Sequence, residues 1–321
     1  MIGQILIALA AGCASAAMFA SITSGALISL VLLYLSPLPL MVAAIGWGPL
    51  SAAVGGGLAA IALGATFGAG NLIGYAIAIA LPSWWLGHLC LLGRPAAGNA
   101  SGATAPASAM EWYPIGRILL WSAGLAALAI SAALLALGTD AKTIAGTLHD
   151  YFLRVLASND VRAGPDVELL VDAIVGFVPL AAAMMATLTY ALNLWLAGKV
   201  AATSGRLSRP WPDLKAIALP PMTLVLLCFV LALCFSGGLP AVLARIAASV
   251  LLVAYGLTGF AVLHTLTLAL KSRPLWLGSA YAFVLAFGWP ILAMSALGLA
   301  DAVFGLRQRY LRSRPPPLPV P

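Results

Sequence analysis

Charge is what this sequence has least of. From Ile2 to Gly93 there is no Asp, Glu, Lys or Arg, and over all 321 residues 8% are charged while 63% are hydrophobic. A water-soluble domain carries about 25% charged residues, because its surface must face water. So few ionic groups cannot wet the exterior of a globule of this size, and lipid must be the solvent for most of the chain. The apolar stretches are about 20 residues long and rich in Ala, Leu and Gly. They are not the roughly ten-residue alternations of a membrane β-barrel.

The motifs of common chemistry are missing too. There is no Gly-x-x-x-x-Gly-Lys loop to cradle phosphate, so ATP hydrolysis by that route is excluded. No His-Glu-x-x-His pair, Gly-x-Ser with a partner His, or pair of intramembrane aspartates points to proteolysis. His88, His149 and His264 lie far apart, with no carboxylate at ligand spacing. Cys13, Cys90, Cys228 and Cys234 fall in or beside apolar segments, without the paired spacings of a disulfide framework or zinc site. No catalytic, metal or cofactor residue is assigned, and no enzymatic activity is expected. The few deep charges, Asp172, Arg245 and Asp301, sit near segment ends where the interface solvates them. No carboxylate lies mid-span, which disfavours proton or sodium coupling.

The net charge of +7 does not indicate nucleic acid. Its basic residues occupy short loops and the tail, as the positive-inside rule requires, and no loop combines a basic face with stacking aromatics. At the N-terminus, Leu9-Ala-Ala-Gly-Cys13 is similar to a lipoprotein cleavage box and Ala14-Ser-Ala16 to a signal-peptidase site. A basic n-region is lacking, so an uncleaved first span is expected.

What is present is hydropathy in long runs. Nine candidate segments cover approximately 4–22, 25–46, 49–66, 70–92, 115–138, 168–197, 217–236, 246–270 and 275–299. Ser36-Pro37-Leu38-Pro39 removes two amide donors and predicts a broken or bent second span. Glycines at four-residue spacing, Gly64 with Gly68 and Gly70 with Gly74, suit close helix packing in lipid. The expected fold is an all-α polytopic transmembrane bundle of eight or nine spans, plus a short amphipathic extramembrane helix.

The chain divides into a charge-free four-span bundle over 1–92, a flexible linker over 93–114, further spans over 115–300 and a basic, Pro-rich tail over 301–321. The linker is Ala/Gly/Ser/Pro-rich from Gly93 to Ala109, a composition that cannot build a core. Within the 139–167 loop, Ile144, Leu148, Tyr151, Phe152 and Val155 recur at helical spacing and predict a surface-lying amphipathic helix.

Lys199, Arg206, Arg209 and Lys215 against Asp213 make the 198–216 loop net +3, whereas 139–168 is net −2. The basic loop is therefore cytoplasmic, and counting spans places the 93–114 linker, the N-terminus, Lys271 and Arg273 on the same side. The expected location is a bacterial inner membrane. The tail conflicts with this scheme. Arg307, Arg309, Arg312 and Arg314 should also be cytoplasmic, but a ninth single span puts them outside. Either Gly288-Trp289-Pro290 makes the last segment a re-entrant hairpin, or one earlier span is miscounted.

Several strings together resemble one family. They are Leu35-Ser-Pro37-Leu-Pro39-Leu, Gly46-Trp-Gly48, Pro82-Ser-Trp84-Trp85, Trp112-Tyr-Pro114-Ile-Gly-Arg117, Asn193-Leu-Trp195-Leu-Ala-Gly-Lys199, Arg209-Pro-Trp-Pro-Asp213 and Gly298-Leu-Ala-Asp301. In this order, across nearly the whole chain, they are similar to the YybS-like family of bacterial multi-pass membrane proteins, a domain of unknown function. The resemblance implies membrane location and architecture, and carries no catalytic residues. It also implies a distant similarity to substrate-binding membrane subunits of energy-coupling-factor vitamin transporters, and to a cell-shape membrane protein of similar fold.

Candidate binding groups are therefore neutral. Tyr34, Asn71, Tyr75, Tyr190, Asn193 and Tyr255, along with Gln4, lie in or beside spans. Such amides and phenols can hold a neutral, partly aromatic solute, and can equally bond to neighbouring helices. Trp84, Trp85, Trp112, Tyr113, Trp195, Trp211 and Trp276 cluster at segment ends, as interfacial belt residues do. Ala8, Gly12, Ala16 and Ala20 form a small-residue stripe suited to close helix contact, within the chain or with a partner subunit. In the vitamin-transporter subunits, a comparable alanine stripe docks the shared coupling subunit. Two roles remain open: a solute-binding membrane transport subunit without its own ATPase, or a non-transporting scaffold or assembly factor of the cell envelope. The expected partners are the bilayer and, in either role, other membrane proteins.

Overall fold

In lipid every backbone amide must find its partner within the segment, and Ala- and Leu-rich runs meet that demand as helices. The computed structural model describes residues 2–95, 110–158 and 164–313. The first half contains α1 (Ile2–Ala20), α2 (Leu27–Leu35), α3 (Pro37–Trp47), α4 (Pro49–Phe67), α5 (Ala69–Tyr75) and α6 (Leu81–Leu91). A one-turn π-helical widening at Ala76–Ala80 joins α5 to α6. Then follow α7 (Ile115–Leu135), α8 (Ala141–Ala157), α9 (Pro165–Thr203), α10 (Met222–Leu233), α11 (Gly238–Leu266), α12 (Arg273–Phe287), α13 (Ile291–Phe304) and α14 (Leu306–Arg312). Strands β1 (Gly93–Pro95) and β2 (Met110–Trp112) pair antiparallel between α6 and α7.

Seven stretches are long and apolar enough to cross a bilayer: 2–24, 27–47, 49–67, 69–91, 115–135, 165–203 and 238–269. An eighth is reached if α13 and α14, bent by 66°, count as one. Their outward side chains are apolar, with Leu27, Leu50 and Leu169 each more than seven-tenths exposed, as lipid contact requires. The chain is a multi-pass α-helical membrane protein.

Two of the nine expected segments differ. Pro220 and Pro221 on one side and Gly237 on the other trim the 217–236 stretch to α10, 12 residues long. At about 1.5 Å per residue it falls well short of the roughly 30 Å hydrocarbon core. The 275–299 stretch breaks at Gly288, whose φ of +72° suits a residue without Cβ, and the chain reverses before Pro290. Tyr281 of α12 faces Phe260 and His264 of α11, and Ser295 of α13 reaches the Leu252 carbonyl. The last helices thus form a hairpin against α11. Arg307 ends beside Lys215 and Ile217, which brings the tail to the same end of the bundle as the basic loop.

The second span breaks at Ser36, as its two prolines predict. The predicted amphipathic helix is α8, and Asp140 caps it by accepting from the Lys142 and Thr143 amides at 3.0 Å. Ile144 is buried and Leu148 partly so, while Tyr151 and Val155 are exposed. The expected flexible linker holds a short ladder at its two ends, tied by an Arg94–Glu111 ion pair at 2.8 Å, and residues 96–109 lie outside those described. So do Asp160, Arg162 and Arg314.

One core joins the two halves. Met41 of α3 and Leu86 of α6 pack in the same cluster as Ile118 of α7, Tyr190 of α9 and Ile246 of α11. A second cluster, around Leu40, Ala52, Ala59 and Tyr75, fills the N-terminal helices. Close approaches are made by glycine. A Cβ on Gly12 would collide with the Gly55 carbonyl of α4, and one on Gly298 with the Tyr255 carbonyl of α11.

Candidate functional site: a cavity beneath the basic loop

A partly open cavity of about 770 Å³ lies among helices α7, α9 and α11, next to the 204–216 loop. Its walls are Ile118 and Leu119 of α7, Leu194 and Trp195 of α9, and Leu257 and Phe260 of α11. Ser122 contributes a neutral hydroxyl to the wall, and it already donates to the Ile118 carbonyl at 3.1 Å. The loop from Leu207 to Ile217 covers one end, and Tyr281 of α12 closes a side. There Tyr281 stacks on Phe260 with ring centres 4.7 Å apart, and its hydroxyl meets His264 Nε2 at 2.9 Å.

The loop is held by cation–π contacts, by Leu207 and Ile217 packed on the main core, and by Arg307 at its end. Lys199 Nζ sits 4.1 Å from the Trp211 ring centre, Arg206 lies 4.7 Å over Trp47, and Arg209 lies 5.8 Å over Trp112. Pro210 and Pro212 flank Trp211 and fix φ on either side of it. Asp213 accepts from the Lys215 amide at 3.0 Å and so caps the following turn.

Arg209 is the polar group this arrangement serves least well. Its Nη1 donates to the Cys90 carbonyl at a long 3.4 Å, and its Nε is buried without a partner. Burial lowers the guanidinium's pKa from its ordinary value, with the Cys90 thiol acting the other way.

The polar residues singled out from the sequence lie elsewhere, and several serve the bends. Pro82 has no amide for the Ala78 carbonyl four residues before it, and the Tyr190 hydroxyl donates to that carbonyl at 2.7 Å. At the Ser36 break, Asn193 Nδ2 donates to the Tyr34 carbonyl at 2.8 Å and the Ser15 hydroxyl to the Ser36 carbonyl at 2.6 Å. Tyr75 shares a 2.6 Å hydrogen bond with Ser15. Tyr255 is buried with Leu227 and Leu251. The Tyr34 side chain is exposed, and Asn71 turns back to the Phe67 carbonyl. None of the six lines the cavity.

In the small-residue stripe, Ala8 and Gly12 press against Gly55 of α4, and Ala16 and Ala20 pack on the N-terminal cluster. Of the four glycines noted by spacing, Gly64 meets Leu72 while Gly70 and Gly74 face open space. Among the described residues, no three His, Cys, Asp or Glu side chains converge as a metal site.

Sequence reasoning named the walls only as spans and the loop only as basic. The signal available for the site was Arg209-Pro-Trp-Pro-Asp213, an aromatic between two prolines and two charges. The fold and this cavity define a class, a polytopic helical membrane protein with a loop-capped apolar chamber. Comparison with protein-family models, curated proteins and solved structures finds no match to the chain.

Proposed function

We propose that this protein is a membrane subunit that binds a small solute in the cavity among α7, α9 and α11, and is passive without a partner that supplies energy. The carrying observation is the chamber itself. Its volume of about 770 Å³ falls within the roughly 300–1,000 Å³ of ligand pockets, and its wall is mainly aliphatic and aromatic. The absent phosphate-cradling motif supports dependence on a partner, and the resemblance to YybS-like proteins and vitamin-transporter subunits agrees with the reading. We place the protein in a bacterial inner membrane with the basic loop and N-terminus cytoplasmic, on the loop-charge asymmetry.

The envelope-scaffold reading draws less support. It would dock a partner through the basic loop or the tail, and in the loop Lys199 and Arg206 lie against tryptophans, which leaves Lys215 with the tail's Arg309 and Arg312 as the exposed basic groups without that contact.

The test is thermal melting of the purified protein against a panel of vitamins and apolar metabolites. A stabilising compound is expected, and Leu119→Trp, which fills the chamber, should abolish its effect. If no compound raises the melting temperature, the reading is lost.

A further inference from the structure

The chamber has chemically unlike ends, and this difference specifies a ligand class. We infer that it takes an anionic amphiphile, with a hydrocarbon or ring body between α7, α9 and α11 and a phosphate or carboxylate at Arg209 and Lys215. The inference rests on the solute-binding reading and adds the ligand's chemistry.

Two observations carry it. The first is the uncompensated cation. Arg209 lines the cavity with its Nε buried and unpartnered, and one long bond to a carbonyl dipole is its recorded hydrogen bond. Among the described residues, neither Arg209 nor Lys215 has a carboxylate within ion-pairing distance. Asp213 is the acid in the lining, and the bond recorded for its carboxylate is to a backbone amide. A guanidinium is a planar fork of donors that matches the paired oxygens of a carboxylate or phosphate, and leaving one part-buried without an acceptor is costly.

The second is the dry wall. Ser122 donates its hydroxyl proton to the Ile118 carbonyl, and His264 Nε2 and the Tyr281 hydroxyl are bonded to each other. Away from the loop there are few free donors or acceptors for a sugar or nucleoside, whose hydroxyls would be stripped of water without replacement. A body that enters this region without that penalty is apolar. Charge at the loop and hydrocarbon below it describe an amphiphile oriented like a lipid, head toward the basic end.

The experiment uses the full-length protein in phosphatidylcholine nanodiscs and four probes: oleate, oleoyl lysophosphatidate, oleyl alcohol and inorganic phosphate. Oleate and lysophosphatidate are expected to bind about tenfold more tightly than oleyl alcohol, roughly the value of one charge-assisted pair. Arg209→Gln should erase that preference while leaving oleyl alcohol binding unchanged, and Arg209→Lys should retain part of it. Lys215→Gln, at an exposed position with no recorded side-chain bond, should reduce the preference about threefold and guards against misfolding of the Arg209 variants. Equal binding of the alcohol, or a preference that survives Arg209→Gln, overturns the inference. Inorganic phosphate binding as tightly as lysophosphatidate also overturns it, because the site would then hold a free anion. If all oleoyl probes fail while a soluble metabolite stabilises the protein in a Leu119→Trp-sensitive way, the amphiphile falls and solute binding stands. If nothing binds, both fall.

Discussion

Arg307 reaches back across the sequence to donate from Nη1 to the carbonyl oxygens of Lys215 and Ile217, at 2.7 and 2.9 Å. The same guanidinium is paired with Asp301 at 2.8 Å, and both side chains are largely buried. One arginine therefore ties the start of the tail to the basic loop, and the α12–α13 hairpin makes that geometry available.

The first prediction concerns sidedness. In a cysteine-free background, Ser208→Cys and Arg309→Cys should react with a membrane-impermeant maleimide from the same side, and Lys142→Cys from the other. Labelling of Ser208→Cys and Arg309→Cys from opposite sides would exclude the hairpin.

Removing Arg307 should be expensive. Arg307→Ala strands the Asp301 carboxylate in a largely buried position and leaves two loop carbonyls without a donor, a loss on the order of 3 kcal/mol. Asp301→Asn combined with Arg307→Ala should recover part of it. Thermal denaturation in detergent distinguishes the two, and equal melting temperatures would count against the pair.

The contact between α1 and α4 leaves no room for a methyl group. Gly12→Ala should destabilise by about 1–3 kcal/mol because the new Cβ meets backbone rather than a movable side chain. Gly57→Ala, where nothing lies within 4 Å, is the control and should melt like the parent. Parity between the two variants would contradict the packing.

The bends also predict mutational costs. Tyr190→Phe frees the Ala78 carbonyl and Asn193→Leu the Tyr34 carbonyl, each costing about 1–3 kcal/mol in a setting with no water to substitute. Hydrogen exchange should quicken locally, around residues 78–82 in the first variant and 34–40 in the second. Uniform exchange changes across the protein would argue against a local role.

The end of α8 should respond to acid. The Thr143 hydroxyl and amide, with the Lys142 amide, hold the Asp140 carboxyl below its ordinary pKa. A depressed folded-state pKa contributes stability above the unfolded pKa and loses it as pH falls through the folded one. The amides of Lys142 and Thr143 should therefore become less protected from exchange as pH drops below about 4, the ordinary aspartate value. In Asp140→Ala that pH dependence should vanish, and its persistence would remove Asp140 as the cause.

Much of the architecture was legible because lipid enforces a simple rule. A long charge-poor run has to be a helix, so α1, α4 and α7 begin and end close to where hydropathy places them. The break at Ser36 followed from two prolines. Less legible was anything decided between segments. Hydropathy sees 217–236 and 275–299 as spans, since Gly237 and Gly288 weigh little in an average yet end or reverse a helix. Glycine spacing within one helix pointed to Gly70 and Gly74, while the contacts that exclude a Cβ pair Gly12 with Gly55 and Gly298 with α11, partners that spacing cannot name. The cavity was invisible for the same reason. Its walls come from three ordinary-looking apolar runs, and Arg209 at its loop end is unusual only for what surrounds it.

On α9, Tyr190 and Asn193 face the kinked N-terminal helices, while Leu194 and Trp195 face the chamber. A turn of that rod about its axis, of the kind needed to widen or narrow the chamber, would pull both side chains off the carbonyls they mend. The two bends therefore act as a brake on α9. Rotating the rod means breaking two side-chain-to-carbonyl hydrogen bonds at once.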